Sequence, residues 1–409
     1  MNRYQTHRFS IKHFFLKPVI ENYPYKTSVL LILILTVCFA LFVSSSWSNA
    51  VINDPGTSIA VPKPEPDPDD PEQTPVSTPT PRPERTPTPE PTPTPEPEYD
   101  GINPLTGLPM PDEYERNRPV AVVLSNEVAA LPMNGVSAAD ILYEYPVEGG
   151  LTRMLAIYQD ITSVPKVGSV RSARQYTVQI AASYDAFFFH AGGSQPMAYN
   201  EIKNLGVTNF DEVGGTRREV FFRDRARISG RRVDNLHSVV TTGERVSRRF
   251  PDYTFRKELK DDYEHMLSFI ENGTPAGGST ANKAVVRITS GKSSTFTYNT
   301  ESNAYNLNQY SRDFVDANNN TKPAFTNVLI LKTSVSTIAG DADGRQNIVT
   351  TGNGEGFFMC GGKYIEINWS RRSTTSPFVY TTIDGTELEL GAGRTFICIV
   401  STRMSVDFS

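Results

Sequence analysis

Cysteine, tryptophan and histidine are scarce in this sequence, with three, two and five copies in 409 residues. So few cysteines exclude a small disulfide-rich scaffold. Cys38 falls inside a long apolar run, which leaves only Cys360 and Cys398 for the remainder of the chain. Both of these lie in strand-like segments, and the sequence leaves open whether they form a disulfide or stay as buried thiols.

Motifs for metal, phosphate and acyl-transfer chemistry are also missing. No G-x-x-x-x-G-K-[ST], G-x-S-x-G or H-E-x-x-H pattern occurs. His190 and His237 do not have a spacing that is diagnostic of a zinc site. We therefore expect no metal and no cofactor. Positive charge is not in excess either, because the net charge is -5, so composition gives no reason to expect a nucleic-acid partner.

The N-terminal segment has the pattern of a membrane anchor. Residues 1–26 form a basic segment, and no charged residue occurs from Thr27 until Asp54. An apolar run of about twenty residues can cross a bilayer as a helix, and the preceding positive charge keeps the N-terminus in the cytoplasm. We predict a transmembrane helix or signal sequence over 27–47, which places the folded domains outside the cell.

Three fates of this segment stay open. The apolar run is longer than the usual core of a signal peptide, which favours a retained helix. The residues "SNA" at 48–50 have the small-x-small form of a cleavage site. Cys38 could be lipidated, although Val37 before it is larger than the residue normally found at that position.

Residues 48–100 are rich in proline, threonine and glutamate and poor in apolar side chains. Such a segment buries too little apolar surface to offset its conformational entropy, so we expect it to stay disordered. Its prolines favour extended polyproline II structure at about 3.1 Å per residue. We interpret it as a spacer that holds a folded head away from the membrane.

Two compositionally different regions follow the spacer. Residues 101–255 alternate strand-like and helix-like patterns, which predicts an α+β or α/β N-terminal domain. Within it, 141–148 and 152–159 flank Gly149-Gly150 and predict a β-hairpin, and 195–206 predicts a helix that ends at Gly206. After a connecting segment over 256–284, residues 285–409 contain short strands separated by polar turns. This pattern predicts a β-rich C-terminal domain of the sandwich or barrel-like type.

The stretch "GSVRSAR" at 168–174 suggests an anion site. Ser169 or Ser172 could cap a following helix, and Arg171 and Arg174 would then lie on one helical face. Helix N-termini attract anions, and guanidinium groups suit carboxylate or phosphate. We therefore predict that Arg171 and Arg174 act as anion clamps.

The stretch "FFFHAGGS" at 187–194 repeats the arrangement of a strand followed by a helix start. Glycines 192 and 193 leave the backbone accessible, and Ser194 is a candidate N-cap. Ligands often bind where strand C-termini meet helix N-termini. We predict that His190 orients or protonates the ligand and that the Ser194 turn donates backbone N–H groups.

A purely structural interpretation of the same residues also stays open. In that interpretation Arg171 and Arg174 pair with Glu144 or Glu148, and His190 bonds to a backbone carbonyl. A buried charge needs a partner in either case.

Residues 217–232 contain seven arginines, two acids and the pair Arg223–Asp224, which we place near the same site. The other arginines predict a basic surface, whose partners outside a cell would be anionic lipid head groups or wall polymers. A solvated loop without a partner is the alternative.

Six motifs together resemble the YerB family of bacterial envelope proteins, many of which are described as lipoproteins. They are "NPLTGLP", "RPVAVVLSN", "AADILYEYPVEGGLTRMLAIY", "VGSVRSARQY", "DAFFFHAGGS" and "FFRD". The resemblance covers nearly all of 101–401 and implies paired N- and C-terminal domains of unknown function. It implies no established reaction.

The resemblance also implies a set of site residues. The matching positions are Glu144, Glu148, Thr152, Arg153, Arg171, Ser172, Arg174, His190, Gly192, Gly193, Ser194, Arg223 and Asp224. The chain departs from the family pattern where Asp234 replaces a histidine and His237 follows nearby. It departs again at Cys38, which has no complete lipidation motif.

We therefore expect a membrane-anchored extracytoplasmic binding or scaffolding protein of the cell envelope. Its partner would be an anionic wall polymer, a peptidoglycan fragment or a wall-synthesis protein. A wall-active hydrolase or transferase that uses His190 and a carboxylate is the first alternative. A non-catalytic partner of cell-wall synthases is the second.

Overall fold

Strands make up most of the regular structure in the computed structural model, which describes residues 99–265 and 267–409. These residues all belong to one compact unit. The predicted anchor over 27–47 and residues 48–98 of the predicted spacer lie outside the described residues. No helix within 99–265 or 267–409 is long and apolar enough to span a membrane.

The elements have the following bounds. The first strands are β1 (Gly101–Ile102), β2 (Pro109–Met110), β3 (Val120–Ser125), β4 (Ile141–Pro146), β5 (Thr152–Tyr158), β6 (Val167–Gly168), β7 (Phe187–His190), β8 (Asn209–Asp211), β9 (Phe222–Arg223) and β10 (Val239–Thr241). The later strands are β11 (Ser268–Ile270), β12 (Ser279–Thr280), β13 (Lys283–Thr289), β14 (Lys292–Asn299), β15 (Ala304–Gln309), β16 (Arg312–Asp313), β17 (Ala324–Phe325), β18 (Asn327–Thr333), β19 (Val335–Thr337), β20 (Gln346–Ile348), β21 (Gly352–Cys360), β22 (Lys363–Arg371), β23 (Val379–Thr382), β24 (Glu389–Gly391), β25 (Thr395–Ser401) and β26 (Val406–Phe408). The α-helices are α1 (Asp112–Glu115), α2 (Gln175–Ser183), α3 (Met197–Leu205) and α4 (Gly243–Arg249), and single 3₁₀ turns occur at Val128–Ala130, Glu148–Gly150, Arg218–Val220 and Phe250–Asp252.

A mixed sheet runs through both predicted domains. Within the described residues it has eleven strands in the order β12-β22-β21-β18-β25-β4-β5-β3-β7-β8, with β23 beside β22. The late strand β25 pairs in parallel with β4 on one side and with β18 on the other. The two regions that composition separates therefore share one hydrogen-bonded sheet.

The predicted α/β character is concentrated around three parallel strands. Helix α2 precedes β7, which lies parallel to β3, and helix α3 connects β7 to β8. The predicted hairpin is also present, because β4 and β5 pair antiparallel. Helix α3 ends as predicted at Gly206, whose φ of 63° suits a residue without a Cβ atom.

Side chains alternate between the two faces of the large sheet. Val122 and Phe189 face one core, and Val123 and Phe188 face the other. This alternation follows from the two-residue repeat of a strand. Because both faces are buried, the sequences of these strands are continuous apolar runs. Both faces of the sheet are therefore covered.

A smaller sheet covers the first face. It has the order β16-β15-β14-β13-β26, with β17 beside β15. Phe296 and Phe325 of this sheet each lie 5.1 Å, between ring centroids, from Phe396 on the large sheet. Helices α2 and α3 pack on the second face, where Tyr176 contacts Tyr145 at 5.5 Å between ring centroids. The layers are thus sheet, sheet and helices.

Cys360 and Cys398 are free and buried. They belong to different cores, one on each side of the large sheet. Two thiols that point to opposite faces of a sheet cannot meet the short Cβ separation of a disulfide. Of the two states left open by the sequence, the structure has the buried thiols.

Candidate functional site

The stretch that contains Arg171 and Arg174 is extended and lies beside β3. The N–H of Ser125 donates to the carbonyl of Ser169 at 2.9 Å, and the N–H of Arg171 donates to the carbonyl of Val123 at 2.8 Å. Helix α2 begins only at Gln175. The predicted caps at Ser169 and Ser172 are therefore wrong, because pairing with β3 holds this backbone outside the helix.

Three arginines meet two glutamates next to this stretch. Arg171 donates from Nη2 to Oε1 of Glu127 at 2.9 Å. Arg174 donates from Nε to Oε2 of Glu148 at 3.1 Å and forms a second bond to Oε1. Arg153 donates to Glu148 at 3.4 Å and binds the carbonyl of Ser172 through Nη1 at 2.9 Å. We call Arg153, Arg171, Arg174, Glu127, Glu148 and His237 the arginine cluster.

The cluster is nearly closed to solvent and has more positive than negative groups. The arginine side chains are 6 to 10% exposed, whereas those of Glu127 and Glu148 are 23% and 25% exposed. Burial alone would raise the pKa of Glu148, but Arg153 and Arg174 hold that pKa below its usual value. Burial, with the charge of Arg174, lowers the pKa of Arg153 to about 10.

Several polar atoms of this region are buried without a hydrogen-bond partner among the described residues. They are the Nε of Arg153, the Nε of Arg171, the Nδ1 of His237 and the Oγ of Ser194. A buried donor that makes no bond costs about 1–3 kcal/mol. A ligand that accepts these hydrogen bonds would remove part of that cost.

His237 and Glu127 are the members of the cluster that sequence reasoning did not assign to the site. The Nε2 of His237 lies 3.9 Å from the carboxylates of both Glu127 and Asp234. Burial and the charge of Arg171 lower the pKa of His237. The departure from the family pattern around Asp234 was the available signal for His237, and no sequence signal singled out Glu127.

His190 is a structural residue in this geometry. It is fully buried, its Nδ1 bonds to the carbonyl of Gly192 at 2.8 Å, and its Nε2 accepts from Asn209 at 3.2 Å. Burial lowers its pKa, although Asp211 lies 3.8 Å away. Both ring nitrogens are bonded in this arrangement, so neither is free to orient or protonate a ligand.

Backbone hydrogen bonds connect the Gly-Gly-Ser turn over 192–194 to the stretch that contains Arg171 and Arg174. Helix α3 begins at Met197, so Ser194 is not the predicted N-cap. The N–H of Ser194 donates to the carbonyl of Ala173, and the N–H of Gly192 donates to Oδ1 of Asp211. Neither N–H is free for a ligand, and Gly193 pairs with Ala173 as an isolated bridge. The Ser194 hydroxyl remains the polar group of this turn without a partner among the described residues.

Arg223 and Asp224 are held elsewhere. Arg223 binds Glu212 through two nitrogens, at 3.1 and 2.7 Å. Asp224 accepts from the Nζ of Lys166 at 2.6 Å. The structure therefore does not bring this predicted pair into the arginine cluster.

Glu144 is also separate from the arginines, contrary to the prediction that it holds them. It is fully buried, and its carboxylate accepts from Asn126 at 2.8 Å, Ser294 at 2.5 Å and Gln309 at 3.0 Å. Lys292 lies 3.4 Å from the same carboxylate. Thr152 bonds to it as well, at 2.8 Å. These bonds make Glu144 a link between the N- and C-terminal regions.

Family comparison gives the context for this arrangement. Residues 105–256 match the model described as "Protein of unknown function (DUF3048) N-terminal domain". Residues 284–397 match the corresponding C-terminal domain. The chain belongs to the DUF3048 family. The arginine cluster lies in the region matched by the N-terminal model, whereas the Glu144 network spans both matched regions.

A curated relative and a solved structure agree with this assignment. The chain is 31% identical over 300 residues to the protein named "Putative lipoprotein YerB" of Bacillus subtilis (strain 168), across 73% of this chain and 85% of the relative. The crystal structure of the YerB protein from Bacillus subtilis superposes with a TM-score of 0.63 at 27% identity. The match covers 75% of this chain and all of the solved chain, so the solved chain is a folded unit that corresponds to three quarters of this one.

Proposed function

We propose that this protein is an extracytoplasmic binding protein of the cell envelope and that the arginine cluster holds an anionic ligand. One observation carries the proposal: the buried Nε–H donors of Arg153 and Arg171 and the buried Nδ1 of His237 have no hydrogen-bond partner among the described residues. Guanidinium groups in a site of low polarity favour carboxylate and phosphate. The relative named as a lipoprotein supports an envelope location.

The ligand would be part of an envelope component, such as a wall peptide carboxylate or the phosphate of a wall polymer. Three arginines and two carboxylates leave one positive charge unmatched within the cluster. A monoanionic group would therefore neutralise it. Such a ligand would approach from the side of Glu127 and Glu148, whose side chains are the more exposed ones among these five charged residues.

The test is thermal unfolding of a fragment of residues 99–409 with phosphate, with wall peptide and with a glycerol-phosphate polymer. Binding to the native state alone raises stability by about 2.7 kcal/mol at one hundred times the Kd. We expect at least one of these anions to raise the melting temperature of the wild type and not of Arg171→Lys. The lysine keeps the charge but lacks the Nε donor.

Arg371→Lys is the matched control. Arg371 is also buried, but its guanidinium donates to the carbonyls of Ser376, Gln179 and Thr374, so its Nε already has a partner. An equal response of wild type and Arg171→Lys to every anion would overturn the proposal, as would no response of either protein.

A further inference from the structure

We infer that the loops beside the arginine cluster form a docking surface for an anionic lipid bilayer. The surface consists of Val128, Val213 and Leu236 together with Arg218, Arg223 and Arg231, and we call it the rim. It uses exposed side chains, so it does not depend on the ligand proposed for the buried cluster.

Three aliphatic side chains of the rim face solvent. Val213 is 64% exposed, Leu236 is 57% exposed and Val128 is 44% exposed. An isolated exposed aliphatic residue is ordinary on a protein surface. Several on adjoining loops are a feature of interaction surfaces.

Each of these aliphatic residues stands next to a residue that an arginine contacts. Arg218 lies 3.8 Å from the carboxylate of Glu212, which precedes Val213. Arg223 donates to the carbonyl of Asn235, which precedes Leu236, at 2.6 Å. Arg231 donates to the carbonyl of Ala129, which follows Val128, at 3.0 Å. All three arginines are exposed.

Further contacts place the three loops side by side. Arg223 binds Glu212 at 2.7 Å as well as Asn235, so it joins the loop of Val213 to the loop of Leu236. His237, next to Leu236, lies 3.9 Å from Glu127, next to Val128. The loops that carry the three aliphatic residues therefore adjoin one another.

The charge of this segment is opposite to that of the whole chain. Residues 212–236 hold seven arginines against four acids, a net charge of +3, whereas the complete chain carries -5. Basic side chains near an anionic leaflet contribute about 1 kcal/mol each, and aliphatic side chains add to this when they enter the interface. A hydrated anionic polymer would use the arginines alone, so the exposed aliphatic side chains favour the bilayer.

Vesicle co-sedimentation of the 99–409 fragment tests this inference. We expect binding to vesicles that contain phosphatidylglycerol, weaker binding at high salt and little binding to phosphatidylcholine alone. Leu236→Ser should weaken the partition by about threefold or more, and Arg218→Gln by about fivefold. Ile383→Ser and Arg372→Gln are matched controls, because both positions are exposed and outside the rim, and we expect wild-type binding from both.

Two results would overturn the inference. One is no binding to the anionic vesicles. The other is binding that soluble polyphosphate abolishes and that Leu236→Ser leaves unchanged, which would make the surface a polymer site. The two proposals have separate measurements: the melting-temperature response to soluble anions tests the arginine cluster, and the loss of vesicle binding in Leu236→Ser tests the rim, so failure of one is distinguishable from failure of the other.

Discussion

The carboxylate of Glu144 and the ammonium group of Lys292 lie 3.4 Å apart in the interior, and they come from the two different regions that the family models match. Burial lowers the pKa of Lys292, and the attraction of Glu144 partly opposes that effect. Tyr310 also covers this lysine, with its ring centroid 4.5 Å from Nζ. Glu144 and Lys292 therefore form a buried ion pair that connects the two regions.

Glu144→Gln should strongly destabilise the fold. The substitution leaves Lys292 as a buried charge without its carboxylate, and breaking a buried ion pair in this way costs about 3–5 kcal/mol. Urea unfolding of the 99–409 fragment gives the free energy of unfolding directly. A loss below about 1 kcal/mol would contradict the role of this pair.

The double variant Glu144→Gln with Lys292→Met separates loss of the pair from the cost of an unpaired charge. Because replacing both charges removes the desolvation penalty, we expect it to recover most of the lost stability. Asp313→Asn is the surface control: its ion pair with Lys322 is about half exposed, so we expect a change within about 0.5 kcal/mol.

The stability of the fold should fall as the pH decreases below about 6.5. Burial lowers the pKa of His190 in the folded state, whereas an unfolded histidine titrates near about 6.5. Below that value the unfolded chain binds more protons than the folded chain, so acid favours unfolding. The loss is about 1.4 kcal/mol per pH unit for each such histidine until its folded pKa is reached.

His190→Gln tests the assignment of this pH dependence. Glutamine has no titration in this range, so the variant should be less stable at pH 7 but should lose less stability than the wild type on acidification. Urea unfolding at several pH values measures both effects. An unchanged slope would assign the dependence to other groups.

Cys360 and Cys398 should resist both oxidation and thiol reagents in the folded protein. Burial raises the pKa of Cys360 to about 11, and the pKa of Cys398 also lies above its usual range for the same reason. The reactive thiolate is therefore scarce and enclosed. Ellman's reagent should label the native 99–409 fragment slowly and label two thiols rapidly in urea. An intramolecular disulfide found by mass spectrometry would contradict their placement on opposite faces.

Local patterns predicted the elements whose partners are close in sequence. The hairpin of β4 and β5 and the helix that ends at Gly206 follow from apolar periodicity and turn residues. Arg171 and Arg174 were placed wrongly, on a helical face. The backbone of Arg171 pairs with β3, a contact that no local pattern contains, and Arg174 only precedes helix α2 as its N-cap. Glu127 could not be predicted for the same reason, because Arg171 and His237, which contact it, come from other segments of the chain.

Residue type alone does not show which partner a charged or polar side chain has in the folded protein. The sequence indicated Glu148 as a partner of the arginines, and the structure places it there. It indicated Glu144 equally, but a strand alternates its side chains between two faces, and Glu144 points toward Ser294 and Lys292. His190 looked like a ligand group because it ends a strand, yet two hydrogen bonds already use its ring nitrogens.

The N-terminal region should not fold without the C-terminal region. Strand β25 lies between β4 and β18, so a fragment of residues 99–283 would expose the backbone edge and the apolar side chains of β4. An uncovered apolar edge strand promotes aggregation. We expect this fragment to aggregate or lack cooperative unfolding, and we expect co-expression with residues 284–409 to yield a soluble complex. Size-exclusion chromatography and circular dichroism distinguish these outcomes. A monomeric 99–283 fragment with a cooperative transition would mean that the shared sheet is not required for folding.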